Sequence, residues 1–396
     1  MVKTKKILFI EWDSFGNSEI IRSFKKLDLE TENYRFDRDH IDARLDGNET
    51  EKIAKKILSG DYFFVFSFNY FPIVAIACKA CKVPYISWTY DSPFVMLFSE
   101  TINYETNFPF VFDRGAVEEL KAAGLNAEYL PMATDDSGFD SAINKYKKDH
   151  YEDIAFVGSM YTEDEDSFMY RKYREIPEHA KGFLKGLAEA QKKVYGYNFA
   201  TDVLRENPII LDEIRKTCPV YDGTDTGEDA AWTVFNYFLS RDITAMERKE
   251  IIDLISERHE VALYTGGIYA NKKVRVYKPV GYNTEAPSIY KNSKINLNIT
   301  RKSIITGIPL RCFDIMGSGG FLISNYQSEI PEYFEPDKDI CLYSDYEDLA
   351  EKTDFYLKHE DLRKKIAENG REKVLKDHTY FNRALVFKEC AENYWR

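Results

Sequence analysis

Residues 295–325 combine, in a short span, the side chains and turns that can bind a phosphorylated nucleotide. The apolar run at 295–299 predicts a strand, and Thr300, Arg301 and Lys302 follow its end. Ligands of open α/β sheets bind beyond the carboxyl ends of the strands. The two basic side chains are therefore candidates to neutralise a diphosphate at that edge.

A helix start follows in the sequence GIPLRCFDIM. Gly307 gives the backbone a flexible approach, and Pro309 suits the first turn of a helix, where its missing N–H costs nothing. The free N–H groups of that turn, with Arg311 nearby, are predicted to receive the diphosphate. Asp314 falls about one turn further along, where its carboxylate can accept both hydroxyls of a ribose. The alternative is that this stretch is an ordinary strand–helix–strand unit. Asp314 would then be a solvated helix residue, and the glycines that follow would only cap the helix: Gly317, Gly319 and Gly320.

The elements that must position these residues alternate between strands and helices. In the first third of the chain, the apolar runs KKILFIEW, DYFFVFSF and VPYISWTY are typical of strands buried in a parallel sheet. Amphipathic stretches such as EIIRSFKKL separate them, and the same rhythm runs from EVALYTGG to DICLYS. Strands separated by helices predict βαβ units, and therefore an α/β fold with parallel sheets.

The chain has 396 residues, which exceeds the size at which one core stops growing, so two domains are expected. We predict an N-terminal domain at 1–150 and a second domain at 151–378, followed by a last helical segment at 379–396. Residues 161–257 are rich in Glu, Lys, Tyr and Ala and show helical patterns, which predicts a helical insertion in the second domain. The boundary follows from the polar, aperiodic stretch PMATDDSGFDSAINKYKKDHYED.

Composition excludes several classes of function. The formal net charge is -12, from 54 basic and 66 acidic residues, which argues against binding to nucleic acid, because that affinity depends on clustered Lys and Arg. The start of the chain lacks the apolar run of a signal peptide, and no stretch approaches the roughly 20 apolar residues of a membrane span. With its scattered cysteines, the protein is expected in the cytoplasm.

Several motifs make the sequence similar to a known family. GIPLRCFDIMGSGGFLISN and DHTYFNRA, together with SWTYDSP, VFDRGAVEEL and AEYLPMATD, resemble the CgeB-like (spore maturation) glycosyltransferases. The resemblance implies a GT-B fold of two Rossmann-like domains facing across a cleft. It implies a nucleotide-sugar donor on the C-terminal domain, an acceptor mostly on the N-terminal domain, and a last helix that crosses back. Asp314 takes the position where many relatives bind the donor ribose with Glu, and SIITGI lacks a further acid that relatives carry, so sugar recognition must differ.

Three glycine turns are further candidates to approach the donor. Gly16 follows the first strand, where a GT-B enzyme lets the backbone approach donor and acceptor. Gly158 and Ser159 follow the strand DIAFVGS and could place N–H groups near the phosphates, and Gly266 in YTGG could border the nucleotide base. An ordinary strand–helix turn would look the same at each position, so both interpretations stay open.

The acceptor side needs a base if the reaction inverts configuration. Asp91 follows the strand VPYISWTY, and Pro93 forces a turn there, so its carboxylate is either a general base or an N-cap. Asp13, after the first strand, is the reserve candidate. Asn69 and Tyr70, past the end of another strand, are candidates to line the acceptor pocket.

No metal or other cofactor is expected. Asp37–Asp39 (DRD) resembles the metal-binding D-x-D of the other large glycosyltransferase class, but a polar loop favours a solvated charge run. The six His residues show no metal-ligand spacing. Cys78 and Cys81 form a C-x-x-C inside an apolar helical pattern, which favours core thiols over a redox or metal site.

Together with the resemblance, these observations predict a metal-independent glycosyltransferase, and the resemblance alone implies UDP as the nucleotide of its donor. Arg301, Lys302, Arg311 and a helix N-terminus would neutralise the departing nucleoside diphosphate. The resemblance implies a surface polysaccharide or glycoprotein acceptor, such as a spore or flagellar component. Two alternatives stay open: a nucleotide-sugar epimerase or hydrolase on the same fold, and a non-catalytic GT-B protein that acts as a partner in a glycosylation complex.

Overall fold

The computed structural model forms two compact units. Within the described residues, the first unit holds 5–136 and 377–396, and the second holds 137–376. The first unit thus ends at Asp136, earlier than the boundary expected at 150. The D-x-D tripeptide at 37–39 lies outside the described residues. The described residues are 5–35, 42–161, 172, 174–217, 229–267 and 269–396.

The first unit is a parallel sheet of six strands in the order β2-β1-β3-β4-β5-β6. Its strands are Lys5–Glu11 (β1), Leu29–Arg35 (β2), Tyr62–Phe68 (β3), Tyr85–Thr89 (β4), Asn107–Val111 (β5) and Glu128–Tyr129 (β6). Its α-helices are Asn17–Lys26, Gly47–Leu58, Pro72–Cys81, Arg114–Ala122 and Tyr380–Tyr394, and the short 3-10 helices are Val95–Leu97 and Glu100–Asn103.

Aromatic residues form the core of this unit, because β3 and β4 are buried along their whole length. The C-terminal helix contributes Phe387, whose ring lies 5.3 Å from that of Phe66, 5.8 Å from that of Trp88 and 5.5 Å from that of Phe110. Such ring pairs add about 0.5–1.5 kcal/mol each beyond the burial of area. The high aromatic content of the sequence therefore serves the core in this unit.

The second unit is also a parallel sheet of six strands, in the order β12-β11-β10-β7-β8-β9. Its strands are Ile154–Val157 (β7), Val261–Tyr264 (β8), Val274–Tyr277 (β9), Ile295–Asn298 (β10), Leu322–Asn325 (β11) and Cys341–Tyr343 (β12). The helices outside the segment between β7 and β8 are Asp140–Lys145, Glu285–Asn292, Leu310–Gly317, Ile330–Tyr333, Tyr346–Lys358 and Glu360–Asp377. The predicted α/β fold with two parallel sheets is confirmed.

A helical segment separates β7 from β8 and has a core of its own, which includes Leu184, Leu204, Ile214 and Phe235. A π-helix lies within its longest helix, and such turns are frequent at functional sites. The helices are Glu178–Lys192, Phe199–Arg205, Pro208–Thr217 and a continuous run made of Ala230–Thr233, the π-helix Val234–Leu239 and Ser240–Ser256.

The order of strands in the second sheet defines where a ligand is expected. From β7 the chain continues outward to β8 and β9, and it then returns to β10 on the opposite side of β7 before it continues to β11 and β12. The direction therefore reverses between β7 and β10. Open α/β sheets bind ligands in the crevice beyond the carboxyl ends of the strands at such a point.

Among the helices within the described ranges, none has the length and apolar character needed to cross a membrane.

Candidate functional site

Arginines converge around the ring of Tyr161, just beyond the carboxyl end of β7. The guanidinium carbon lies 4.8 Å from the ring centroid in Arg248, 5.2 Å in Arg301 and 5.3 Å in Arg241. Arg301 follows β10, and the other two arginines project from the helix Ser240–Ser256. The point where the strand order reverses is thus lined by positive charge.

A fourth arginine, Arg311, joins this group from the helix Leu310–Gly317. Its guanidinium lies 5.0 Å from the ring centroid of Phe156 in β7, and that of Arg248 lies 5.2 Å from the same ring. Gly158 makes room for this arrangement, because a Cβ at that position would collide with the guanidinium of Arg311. We call Arg241, Arg248, Arg301 and Arg311 the arginine cluster.

Within the described residues, the hydrogen-bond acceptors of Arg248 and Arg311 are uncharged. Arg248 donates to the carbonyl oxygens of Ser159 and of Ile299, the latter at 2.9 Å, and Arg311 donates to Oδ1 of Asn298 at 3.1 Å. The Nε atoms of Arg248 and Arg301 are buried without a hydrogen-bond partner in the described part of the chain. Such atoms are costly unless a ligand satisfies them. The arrangement is therefore suited to an anion with several oxygens, such as a diphosphate.

Like charges in this cluster perturb the ionisation of its members. Burial, together with the neighbouring Arg311 and Arg301, lowers the pKa of Arg248 to about 10. Burial alone would raise the pKa of Tyr161, but the four guanidiniums outweigh it and lower that pKa below its ordinary value of 10. Tyr161 also adopts a left-handed backbone conformation, with φ 59°, which is uncommon for a residue with a side chain. Perturbed groups and strained backbone together favour a functional site.

Asp314 lies in the helix Leu310–Gly317, but it is not a solvated helix residue. Only 3% of it is exposed, and its carboxylate accepts a hydrogen bond of 3.0 Å from the hydroxyl of Tyr282. The helix begins after Pro309, which occupies the N-cap and offers no side-chain acceptor, and Gly307 is buried in the preceding loop. The helix start and its acid thus have the predicted order, while the predicted ribose contact stays a prediction.

The expectation that Lys302 contacts the diphosphate needs correction. Its side chain is 4% exposed, and its ammonium lies 3.3 Å from Oε1 of Glu247 and donates to the carbonyl of Lys192 at 2.9 Å. A buried ammonium requires such partners, because burial disfavours the charged form. Lys302 lies in a turn, in which the backbone N–H of Ile304 donates to the carbonyl of Arg301 at 3.0 Å. Arg301 contacts Tyr161, whereas Lys302 contacts the helical segment.

The remaining glycine turns differ in their surroundings. Gly158 and Ser159 border the arginine cluster, as described above. Gly266 is exposed, two residues beyond the end of β8. Gly16 has φ 82° before the helix Asn17–Lys26, and a Cβ there would lie 2.5 Å from the hydroxyl oxygen of Tyr380. The close approach of Tyr380 therefore accounts for a glycine at position 16 without any ligand.

In the first unit, Asp91 and Asn69 meet beyond the ends of β4 and β3. The amide nitrogen of Asn69 donates to Oδ2 of Asp91 at 2.7 Å, and its amide oxygen accepts from the backbone N–H of Tyr90 at 3.2 Å. Asn69 is fully buried and adopts a left-handed conformation with φ 58°. Its side chain thus orients the partly exposed carboxylate of Asp91, as a support for a functional acid would do.

Tyr70 and Asp13 do not join this pair. Tyr70 is fully buried, its hydroxyl lies 2.7 Å from Oγ1 of Thr101, and its ring stacks on that of Tyr85. An aromatic ring in the core cannot line an accessible acceptor pocket, so that expectation needs correction. The side chain of Asp13 is 89% exposed and accepts a hydrogen bond from Arg35 at 3.0 Å, so it lies in solvent, paired with an arginine.

Metal ligands do not gather in the described ranges, where no group of three or more His, Cys, Asp or Glu side chains could hold an ion. Cys78 and Cys81 are free thiols, and burial raises the pKa of both. A raised pKa makes a thiol a poor nucleophile and a poor ligand. The absence of a metal requirement stays a prediction.

Sequence reasoning missed Tyr161, Arg241 and Arg248. All three lie in the stretch 161–257, where no motif drew attention to them. One signal was present, because two arginines seven residues apart fall on the same face of a helix after two turns. That spacing could have linked Arg241 to Arg248, although it could not have shown which face contacts the sheet.

Part of the chain matches a known protein family. Residues 247–389 match the family model described as glycosyl transferase-like. That range includes Arg248, Arg301, Arg311 and Asp314. No curated protein sequence matches the chain.

Solved structures of glycosyltransferases match both units together. A glycosyltransferase from Rickettsia africae has 11% identity and a TM-score of 0.51, over 100% of this chain and 99% of that chain. Sucrose-phosphate synthase from Thermosynechococcus elongatus has 10% identity and a TM-score of 0.52, over 99% of both chains. Anabaena HepE in complex with UDP-glucose has 10% identity and a TM-score of 0.52, over 98% of this chain and 99% of that chain. At these identities the likeness concerns the fold, which is that of the GT-B glycosyltransferases.

Proposed function

We propose that this protein is a glycosyltransferase that moves a sugar from a nucleotide-sugar, with UDP as the nucleotide, to a hydroxyl group of an acceptor. The arginine cluster at the reversal point of the second sheet is the observation that carries this proposal. It offers several guanidiniums to an anion at the edge where such sheets bind ligands. The glycosyl transferase-like match at 247–389 and the HepE complex with UDP-glucose support the choice of a nucleotide-sugar.

The chemistry of the donor half follows from charge. When the bond between the anomeric carbon and the diphosphate breaks, negative charge grows on the departing phosphate oxygens. Guanidiniums that are already in place can stabilise that charge without reorganisation, and they are most effective where water is excluded. Arg248 is held by carbonyl groups and Arg311 by Asn298, so both are oriented before a ligand arrives. On this proposal no metal is needed to neutralise the leaving group.

The acceptor half requires a group to take the proton of the attacking hydroxyl. We assign that role to Asp91 if the reaction inverts configuration. The side-chain amide of Asn69 donates a hydrogen bond to the carboxylate of Asp91, which stays partly exposed. If configuration is retained, a phosphate oxygen of the departing diphosphate can take the proton. The described side chains support the first route more directly, since Asp91 has a dedicated orienting partner.

The finer identity rests on motifs. SWTYDSP, VFDRGAVEEL and DHTYFNRA resemble the CgeB-like glycosyltransferases, and on that basis we propose a cytoplasmic enzyme that acts on a surface polysaccharide or glycoprotein. SIITGI lacks an acid, although Thr306 in this stretch donates a hydrogen bond of 2.6 Å to Glu329. Contacts to the donor sugar would therefore differ from those of relatives that carry an acid here.

The test is to incubate the purified protein with a panel of nucleotide-sugars and to measure release of the nucleotide with and without candidate acceptor glycans. A glycosyltransferase releases UDP faster when its acceptor is present. Release that does not depend on any acceptor would indicate a hydrolase, and conversion of the sugar without release would indicate an epimerase. Binding of UDP without turnover would indicate a non-catalytic partner, and absence of UDP binding would overturn the proposal.

A further inference from the structure

A buried pair of opposite charges lies directly behind the arginine cluster. Lys302 and Glu247 have side chains that are 4% and 1% exposed, and their Nζ and Oε1 atoms lie 3.3 Å apart. Glu247 immediately precedes Arg248, and Lys302 immediately follows Arg301. The two members of the pair are therefore the sequence neighbours of two members of the cluster.

Several groups fix this pair. The hydroxyl of Tyr195 donates to Oε1 of Glu247 at 2.6 Å, and the ammonium of Lys302 lies 3.2 Å from the centroid of the same tyrosine ring. The ammonium also donates to the carbonyl of Lys192 at 2.9 Å, and the backbone N–H of Lys302 donates to Oγ1 of Thr244 at 3.0 Å. All of these partners belong to the helical segment between β7 and β8. That segment thus holds the loop that carries Arg301.

Glu247 is a competitor for the arginine cluster. Its charge acts on Arg248, whose pKa it raises against the effect of burial. Its second oxygen, Oε2, has no hydrogen-bond partner within the described residues. A buried carboxylate left without a cation draws the nearest one, because an unpaired charge in a low-dielectric interior is strongly unfavourable. Besides Lys302, the cations whose charges interact with Glu247 include Lys192, which Glu189 and Glu250 already pair, and Arg248 of the cluster.

We propose that Lys302 is a positioning residue that neutralises Glu247 and so keeps the arginine cluster available to the donor diphosphate. The inference rests on the proposed function, since it assumes that the cluster binds a nucleoside diphosphate. It also gives the helical segment a role in building the donor site. Lys302 acts through the guanidiniums and does not touch the ligand.

Titration calorimetry with UDP tests this inference on the full-length protein. We expect Lys302→Met to weaken UDP binding by about tenfold, because the freed Glu247 carboxylate then pairs with a cluster arginine. We expect the neutral pair Glu247→Gln/Lys302→Met to bind UDP within about threefold of the wild type, because neither charge remains. Lys352→Met is the matched control: this lysine is also paired with a carboxylate, Asp348, at 3.0 Å in the second unit, and its loss should leave UDP affinity unchanged.

The outcomes separate the possibilities. If Lys302 contacted the diphosphate itself, the neutral pair would bind UDP as weakly as Lys302→Met, and the inference would be wrong. If Lys302 only stabilised the fold, Lys302→Met would lower the melting temperature and leave the UDP affinity of the folded protein unchanged, which would also overturn it. If Lys302→Met does not fold, the test rests on the neutral pair, whose UDP affinity must then stay within about threefold of the wild type. Absence of UDP binding by the wild type would instead contradict the proposed function.

Discussion

The guanidinium of Arg301 lies 5.2 Å from the centre of the Tyr161 ring, in contact with a residue 140 positions earlier in the chain. The contact joins the loop after β10 to the loop after β7, the two central strands of the second sheet. Neither Arg301 nor Arg248 forms an ion pair with a carboxylate in the described ranges. Like charges held close together repel one another, and an incoming anion relieves that repulsion.

Removal of one of these charges should weaken donor binding without loss of stability. We expect Arg301→Met to reduce UDP affinity by about tenfold to a hundredfold, because a charge-assisted hydrogen bond contributes about 1.5–3 kcal/mol and tenfold corresponds to about 1.4 kcal/mol. The melting temperature of the free protein should not fall, since repulsion from the other arginines decreases. Arg275→Met is the control, because Arg275 is half-exposed and bonded to Glu260 at 3.0 Å. Equal UDP affinity of Arg301→Met and wild type in calorimetry would contradict the site.

The lowered pKa of Tyr161 predicts that donor binding depends on pH. Above that pKa the phenolate itself neutralises the arginine cluster, and below it the phenol is neutral. A bound diphosphate adds negative charge and raises the pKa again, so binding takes up a proton. UDP affinity should therefore fall as the pH rises through the lowered pKa, by at most about tenfold per pH unit.

Calorimetric titrations between about pH 7 and 9.5 measure this dependence. That pH range lies below the ordinary pKa of tyrosine. The matched variant is Tyr161→Phe, which keeps the ring on the guanidiniums and removes the ionisable hydroxyl. Its UDP affinity should change little over the same range. Identical pH profiles of the variant and the wild type would show that Tyr161 does not titrate in the site.

Asp314 offers a separate test of the ribose contact. We expect Asp314→Asn to weaken UDP binding at least tenfold, since a charge-assisted hydrogen bond to a ribose hydroxyl contributes about 1.5–3 kcal/mol. Asparagine retains an oxygen that can accept the hydrogen bond from Tyr282, so the melting temperature should change little. Tyr282→Phe removes only the competing hydroxyl, and its UDP affinity should be equal to or higher than that of the wild type. If Asp314→Asn binds UDP as tightly as the wild type, the carboxylate of Asp314 has only a structural role.

The sequence predicted the fold because its apolar runs match the strands almost one to one. The run DYFFVFSF contains β3, and the apolar residues at 295–299 contain β10. Arg301 and Gly158 follow β10 and β7, which pair in parallel, so both lie at the same edge of the sheet. The local sequence pattern was sufficient to predict features that depend only on where a strand runs and ends.

Side-chain direction was harder to predict. Lys302 and Arg301 are neighbours of the same charge, yet only contacts from the distant Glu247 and Tyr195 show that Lys302 is buried. The burial of Asp314 likewise depends on Tyr282, 32 positions earlier in the chain. These outcomes are set by tertiary packing, which no local periodicity encodes.

We expect catalysis to survive EDTA. The arginine cluster can neutralise the departing diphosphate, and Arg248 and Arg311 are oriented for it before the donor binds. Sugar transfer measured with and without chelator should proceed at the same rate. Loss of activity that manganese or magnesium restores would contradict this mechanism and would direct attention to Asp37–Asp39, the D-x-D tripeptide.

Asp91 is the residue whose replacement should separate chemistry from donor binding. If the enzyme inverts configuration, Asp91→Asn should lower the transfer rate by about 10²-fold or more, the lower range for loss of a general base, while UDP affinity stays unchanged. The amide keeps the size of the side chain and one oxygen that can accept the hydrogen bond from Asn69. A fully active Asp91→Asn enzyme would remove the assignment and favour retention of configuration.

Asn69 supplies the control for that assignment, because it acts through Asp91. Its backbone has φ 58°, so Asn69→Gly removes the amide without strain, which an alanine at this φ would introduce. We expect Asn69→Gly to lower the transfer rate less than Asp91→Asn does, and the two changes together to cost no more than Asp91→Asn alone. Rate losses that multiply in the double variant would mean that Asn69 contributes independently of Asp91. A large fall in the melting temperature of Asp91→Asn would instead show that the hydrogen-bonded pair of Asp91 and Asn69 stabilises the turn between β4 and Val95.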